Sequence, residues 1–203
     1  MLITAVEERK KGMSALFIDG EYAVSIDTVT FISSGKHTGS DITDEELYEL
    51  IENSKISRAK EKALYLIEYR ARSRKEIEDK LIPLYGETAA EAAIVRLEEL
   101  GLIDDESFAR EYAEQLLMRK KFSAERAAFE LLKKGIDRDL IDEILEEAQV
   151  DPVEQIVSVI ERKYIRSISD EKGRNRAING LRAMGYRWDD IKEALRNFEE
   201  YED

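Results

Sequence analysis

Two adjacent carboxylates raise the first question about what this chain does. In "RLEELGLIDDESFAREY" (96–112), Asp104 and Asp105 follow a helix-like run that stops at Gly101. Acids beside a tight joint can serve as general acid and base, as metal ligands, or as the start of a helix, where a carboxylate accepts orphan amide hydrogens. A second group, Asp142, Glu143, Glu146 and Glu147, could collect a divalent ion. Adjacent helix positions diverge, however, and a di-metal bundle needs Glu-x-x-His motifs that the chain lacks. His37 is the single histidine, set in a Gly/Ser loop, and there is no cysteine, so a multi-His site and thiolate chemistry are both ruled out. No G-x-x-x-x-G-K-[ST] phosphate cradle occurs. The expectation is no catalytic residue, no metal and no cofactor. Hydrolase chemistry on the acidic clusters is the enzymatic alternative.

Basic residues are the other candidates. "YRARSRK" (69–75) supplies Arg70, Arg72, Arg74 and Lys75; "MRKKF" (118–122) supplies Arg119, Lys120 and Lys121. Each group stands before an expected helix with an aromatic at its side. Arg174, Arg176, Arg182 and Arg187 fall on or beside the corresponding helix of a third segment. Two helices joined by a short turn, with bases near the second, outline a helix-turn-helix reader of nucleic acid. Basic residues near helix ends also complement the macrodipole and lie over apolar surface, so both readings stand at this point. The net charge of −13 excludes a generic nucleic-acid coat, because the whole-molecule field repels phosphate. The charge is segregated. Residues 41–52 hold six acids and no base, whereas 161–187 hold eight Lys/Arg against three acids.

The elements that must carry these groups are legible in outline. "LITAVEE", "SALFIDG" and "YAVSID" are short β-branched and aromatic runs, and Asp19-Gly20 between two of them predicts a type I′ hairpin turn with positive φ at both residues. A small antiparallel sheet is expected over about residues 2–26, then a Ser/Gly loop, then a helix capped by Thr43 with Glu46 completing a capping box. From residue 44 the pattern is helical in short stripes: Ala124, Ala127, Ala128, Leu131 and Leu132; Leu140, Ile141, Ile144, Leu145 and Ala148; Ile191, Ala194, Leu195 and Phe198.

These stripes repeat. "GIDRDLIDEIL" (135–145) and "GYRWDDIKEAL" (185–195) lie 50 residues apart, with a weaker copy from Gly86. Each glycine follows an amphipathic helix that starts near Ser73, Ser123, or Ser169/Asp170, and a left-handed helix end explains it. The parsing is an N-terminal β region plus helix (1–55) and three-helix repeats over 56–103, 104–150 and 151–203. Such an array offers an extended surface rather than a pocket. Trp188 is read as a core residue. Asp104 or Asp105 is read as a helix cap, with Leu102 and Ile103 tucked into the seam. No run approaches a membrane span, and the absence of cysteine suits the cytoplasm.

"EYRARSRKEIEDKL", "LEELGLIDDESFAREYAEQ", "FELLKKGIDRDLIDEIL" and "ISDEKGRNRAINGLRAMGY" together resemble the successive repeats of the RecX family, bacterial regulators of the recombinase RecA. The hairpin before the first repeat is similar to the extended members of Gram-positive bacteria. The resemblance covers essentially the whole chain. It implies a mostly α fold, an elongated curved array of helix-turn-helix-like three-helix repeats with a small N-terminal β sheet. It further implies a protein that is not an enzyme, that binds RecA and its filament on single-stranded DNA, and that inhibits recombinase, ATPase and coprotease activities. The strongly acidic chain limits direct DNA binding to a weak contribution; no membrane is expected as a partner, and a monomer is expected. The alternatives are a helix-turn-helix-like DNA-binding protein acting without RecA, and a helical scaffold for another partner.

Overall fold

A computed structural model describes the backbone of residues 1–200 and the side chains to Asn197, so the Phe198 side chain lies outside the described residues. Three strands come first, β1 (Ile3–Arg9), β2 (Met13–Ile18) and β3 (Glu21–Asp27), in a β1-β2-β3 antiparallel sheet. The β2–β3 turn is the expected one: Ile18 pairs with Glu21, and Asp19 and Gly20 between them have φ of 50° and 90°. Alternation along β2 sends Leu16 and Ile18 into a core shared with Ile3, Ile26, Phe31, Ile42 and Leu50.

A six-residue helix, α1 (Thr28–Ser33), follows, capped by the buried Asp27, whose carboxylate accepts from Thr30 N at 2.9 Å. The expected capping box is present at the next helix, α2 (Asp44–Tyr69): Glu46 N donates to Thr43 Oγ1 at 3.2 Å and Thr43 N to Glu46 Oε2 at 3.0 Å. α2 is far longer than the short stripes suggest and runs unbroken through the 55/56 boundary drawn from sequence. Its two halves serve different cores. Leu50 packs under the sheet, whereas Ala59 and Ala63 pack against α3 (Arg74–Tyr85) and α4 (Glu87–Glu99) with Ile77, Leu81, Ala93, Ile94 and Leu97. No single apolar stripe runs the length of such a helix, so periodicity could not reveal it.

The chain divides into two compact units, the second beginning at Asp105. Helix α5 (Asp105–Glu114) starts there, which puts Asp104 at the N-cap position; Gly101 before it has φ of 67° and closes α4 with Leu102 N donating to Leu97 O at 2.9 Å. Ile103 is buried as expected, but Leu102 is exposed. Phe108 and Tyr112, one turn apart on α5, stack at 5.6 Å. A π-helical turn, Gln115–Arg119, extends α5, and α6 (Ala124–Lys133) and α7 (Arg138–Ala148) complete one core around Leu116, Leu117, Leu131, Ile141 and Ile144. Of the stripe read on α6, Ala127 and Leu131 are buried, whereas Ala124 and Leu132 are exposed. Helices α8 (Pro152–Lys163), α9 (Glu171–Ala183) and α10 (Trp188–Glu200) form the next core around Ile156, Ile160, Leu181 and Ile191.

The second helix of each trio is capped as read: Ser73 Oγ accepts from Glu76 N (3.2 Å), Ser123 Oγ from Arg126 N (3.2 Å) and Asp170 Oδ1 from Gly173 N (2.7 Å). The glycine after it has positive φ each time, 83° at Gly86, 80° at Gly135 and 93° at Gly185. At Gly135 and Gly185 the next residue, Ile136 or Tyr186, bonds back to Leu131 or Leu181 and is buried; Gly86 opens α4 at once, which is why its copy is the weak one.

Candidate functional site

The basic residues read from sequence meet different fates. At the α2–α3 joint most are engaged within their own unit. Arg70 forks onto Glu76 (2.8 and 3.0 Å), and Arg72 Nε donates to Leu66 O (3.1 Å), closing the end of α2. Arg74 reaches Glu78 (3.0 Å) on its own helix and both Glu98 oxygens (2.8 Å each) and Glu91 on α4. That carboxylate cage holds its guanidinium pKa well above the ordinary value. Lys75 is exposed, with Asp79 at 3.7 Å. This joint is an ion-paired fastening more than an open patch.

The α5–α6 joint is different. Arg119 and Lys120 are exposed, and Arg119 has no carboxylate partner among the described residues. Lys121 sits in left-handed geometry, φ 56°. Around this tip, cations and rings alternate without a break. Lys134 lies 5.8 Å from the Tyr112 centroid, and Lys120 lies 5.8 Å from Tyr112 and 5.7 Å from Phe122. Arg126 follows at 5.7 Å from Phe122 and 5.6 Å from Phe129, and Lys133 sits 4.3 Å over Phe129. Phe129 is half exposed, although aromatic side chains on a helix this amphipathic usually turn inward. Glu130 is bonded to Arg126 at 2.7 Å and lies 3.7 Å from Lys133. Sequence reading found Arg119, Lys120 and Lys121 but missed Arg126, Phe129, Lys133 and Lys134. Their signal was the i, i+3 and i+4 spacing of 126, 129, 130 and 133, which puts one ring and three charges on a single face of α6.

In the last trio, Arg174, Arg176 and Arg182 are exposed on α9. Two glycines on this helix admit the preceding segment: a Cβ at Gly173 would meet Ser167 O at 1.7 Å, and one at Gly180 the Tyr164 hydroxyl at 2.1 Å. Arg182 lies 5.6 Å over the Trp188 ring, which is 47% exposed. The expectation of a core tryptophan is therefore overturned; as the first residue of α10, its side chain stands outside the apolar stripe that begins at Ile191. Arg187 pairs with Glu125 on α6.

Of the acidic candidates, Glu143 and Glu147 are held in ion pairs. Arg110 on α5 gathers Glu106 (3.1 Å) with Glu143 (2.7 Å) and Glu147 (2.6 Å) of α7, clamping the two helices. His37 is exposed, its Nδ1 donating to Thr38 O at 3.0 Å. Among the described residues no three His, Asp or Glu side chains are grouped to hold a metal ion, and no helix is long and apolar enough to cross a membrane.

Comparison with known proteins fits this arrangement. Models of the first and second three-helix domains of RecX match residues 59–97 and 104–145. Regulatory protein RecX of Caldanaerobacter subterraneus subsp. tengcongensis is 30% identical over 201 residues, covering 96% of this chain and 98% of the relative. The chain belongs to the RecX family. A crystal structure of regulatory protein RecX shares the fold at 19% identity, with a TM-score of 0.66 over 97% of this chain and 98% of that one. RecX from Lactobacillus salivarius superposes with a TM-score of 0.60 at 28% identity, over 71% of this chain and 97% of that chain. The mostly helical architecture of RecX three-helix domains behind a three-stranded sheet is thus established, and with it membership in a family of regulatory proteins.

Proposed function

We propose that this protein binds RecA and its filament on single-stranded DNA and inhibits the recombinase, ATPase and coprotease activities, modulating recombination and repair in the SOS response. It acts as a cytoplasmic monomer without a cofactor and carries no active site of its own. Family membership supports the partner. The alternating run of cations and rings beside Arg119, Lys120 and Lys121 is the observation that carries the contact assignment. Here Arg119, Lys120 and Lys133 are exposed, and the Lys120 and Lys133 ammonium groups lie over aromatic faces. Arg174, Arg176 and Arg182 on α9 form a second contact candidate. Arg70, Arg72 and Arg74, engaged by their own neighbours, contribute to stability first, and Arg187 holds Glu125.

Rings interleaved with cations also suit single-stranded nucleic acid itself. That favours a second reading, DNA binding without RecA, which predicts a steep loss of free-DNA affinity with salt. One titration separates the two. Added to cognate RecA on single-stranded DNA, the protein should suppress ATP hydrolysis at or below a stoichiometric amount while binding free DNA weakly. No suppression across the range refutes the proposal. Reversing Arg119, Lys120 and Lys121 to Glu should weaken inhibition on the order of tenfold, as three exposed ion pairs of about 0.5 kcal/mol each would imply.

A further inference from the structure

The backbone of the basic tip holds itself only in part. After α5 the chain widens into the π turn, with Lys120 N bonding to Gln115 O (3.0 Å) and Phe122 N reaching back to Leu116 O (3.0 Å). Lys121, an L-residue whose Cβ is penalised there, is left in left-handed geometry at φ 56°. The carbonyls of Leu117 and Lys121 take side-chain donors in place of amides, and both donors come from the third trio. Gln155 Nε2 donates to Leu117 O at 2.6 Å. The Tyr186 hydroxyl lies 2.8 Å from Lys121 O and 2.6 Å from Gln155 Oε1, able to donate its one proton to either. Gln155 and Tyr186 are buried, at 5% and 4% exposure. The same seam holds the other end of the tip, where Ser123 N donates to Met184 O (3.1 Å) and Ser123 Oγ to Gly185 O (2.8 Å).

We infer that Gln155 and Tyr186 are positioning residues for the contact tip: buried in the third repeat, they fix Arg119, Lys120 and Lys121 of the second in the conformation that engages the partner. The Tyr186 ring belongs to the apolar core of Ile156, Val159 and Ile160, so a phenylalanine would fill the same space. A buried amide and phenol instead supply the directional bonds that orphan carbonyls require. The inference rests on the proposal that this tip contacts the RecA filament, and the test keeps the two apart.

The test uses Tyr186→Phe, which keeps the ring and removes the bond, and Gln155→Met. In the wild type, the Phe122 and Ser123 amides should exchange with deuterium as slowly as those of α8; exchange at free-loop rates overturns the inference without any variant. In each variant, exchange over 117–123 should accelerate about tenfold while α8 stays protected, and filament binding should weaken about fivefold, equivalent to about 1 kcal/mol. With Arg119, Lys120 and Lys121 all replaced by Ala, Tyr186→Phe should cost nothing more. Unchanged exchange in the tip, or a full additional loss in the triple background, overturns the inference, because a residue acting only on overall stability would give the latter. If the triple substitution itself leaves filament binding intact, the contact assignment has failed, and the exchange comparison alone decides whether Gln155 and Tyr186 hold the segment.

Discussion

Replacing Gly185 with alanine should be far more damaging than the same change at Gly101, although both glycines end a helix in the same way. Each has positive φ (93° and 67°), and each is followed by a residue that bonds back to the preceding helix. The backbone cost of an L-residue there is about 1–2 kcal/mol at either site. The surroundings differ. A Cβ at Gly101 meets nothing within 4 Å, whereas at Gly185 it falls 2.6 Å from Arg126 Cβ and 2.6 Å from Ser123 Oγ. Arg126 Cβ is fixed by its own backbone, and Ser123 Oγ is held by two bonds, to Arg126 N and Gly185 O. The seam must therefore open, adding about 1–3 kcal/mol of overpacking. Gly185→Ala is expected to lose about 2–5 kcal/mol in total and Gly101→Ala about 1–2. For a chain of this length that is roughly 2–4 °C in Tm per kcal/mol. Thermal unfolding of both variants measures the difference, and amide exchange at Ser123, whose N–H bonds to Met184 O, localises it. Equal Tm shifts, or a Ser123 amide still protected in Gly185→Ala, would refute the steric argument.

Two other perturbations test the same packing and charge arguments. Burial pushes the Tyr186 phenol above its ordinary pKa, and ionisation would set an anion against two carbonyl-type oxygens. Because the folded value is the raised one, the stabilisation is complete below the unfolded pKa of about 10 and is lost as pH climbs above it. The advantage of wild type over Tyr186→Phe in urea unfolding should shrink by about 1.4 kcal/mol between pH 8 and pH 11; a pH-independent difference counts against a neutral, buried phenol. Arg74→Ala should destabilise the protein by about 1–2 kcal/mol, since it strips Glu91 and Glu98 of their shared partner, while Lys75→Ala should stay within about 0.5 kcal/mol. Similar losses from the two would show that the α3–α4 clamp is only a surface decoration.

What could be read from sequence was what the backbone enforces locally. The Asp19-Gly20 turn, the Thr43 box, the Ser73 and Ser123 caps and the glycines at 135 and 185 all depend on residues within five positions of each other, and each stands where it was read. The joint at Asp104 and Asp105 is of this kind, a helix start after a left-handed glycine, and among the described residues no three acids there are placed to hold a metal ion. α2 was illegible in length because its buried face changes partner between Leu50 and Ala59. α1 was missed because six residues carry too little periodicity to register. Trp188 was misplaced because aromatic content was read as core content, while the helix that carries it turns Ile191, Ala194 and Leu195 inward instead.

The candidate site shows the sharper limit. "RARSRK" and "MRKKFSAER" both carry four bases at equivalent places in consecutive repeats, yet Arg70, Arg72 and Arg74 are engaged in their own unit whereas Arg119 and Lys120 are exposed. The difference lies in residues far along the chain. Glu91 and Glu98, 17 and 24 residues beyond Arg74, close around its guanidinium; Arg110, on α5, is the residue that takes up Glu143 and Glu147 of α7. Glu143 and Glu147 are thereby committed to Arg110, while Lys120 lies over the Tyr112 and Phe122 rings and Arg119 is exposed. A repeat protein can thus turn a structural fastening into a binding face without altering the basic motif itself, by moving one arginine to the preceding helix. The availability of a charge is set by where its counter-charges are spent, and in the first two repeats carboxylates of the third helix are spent on different arginines.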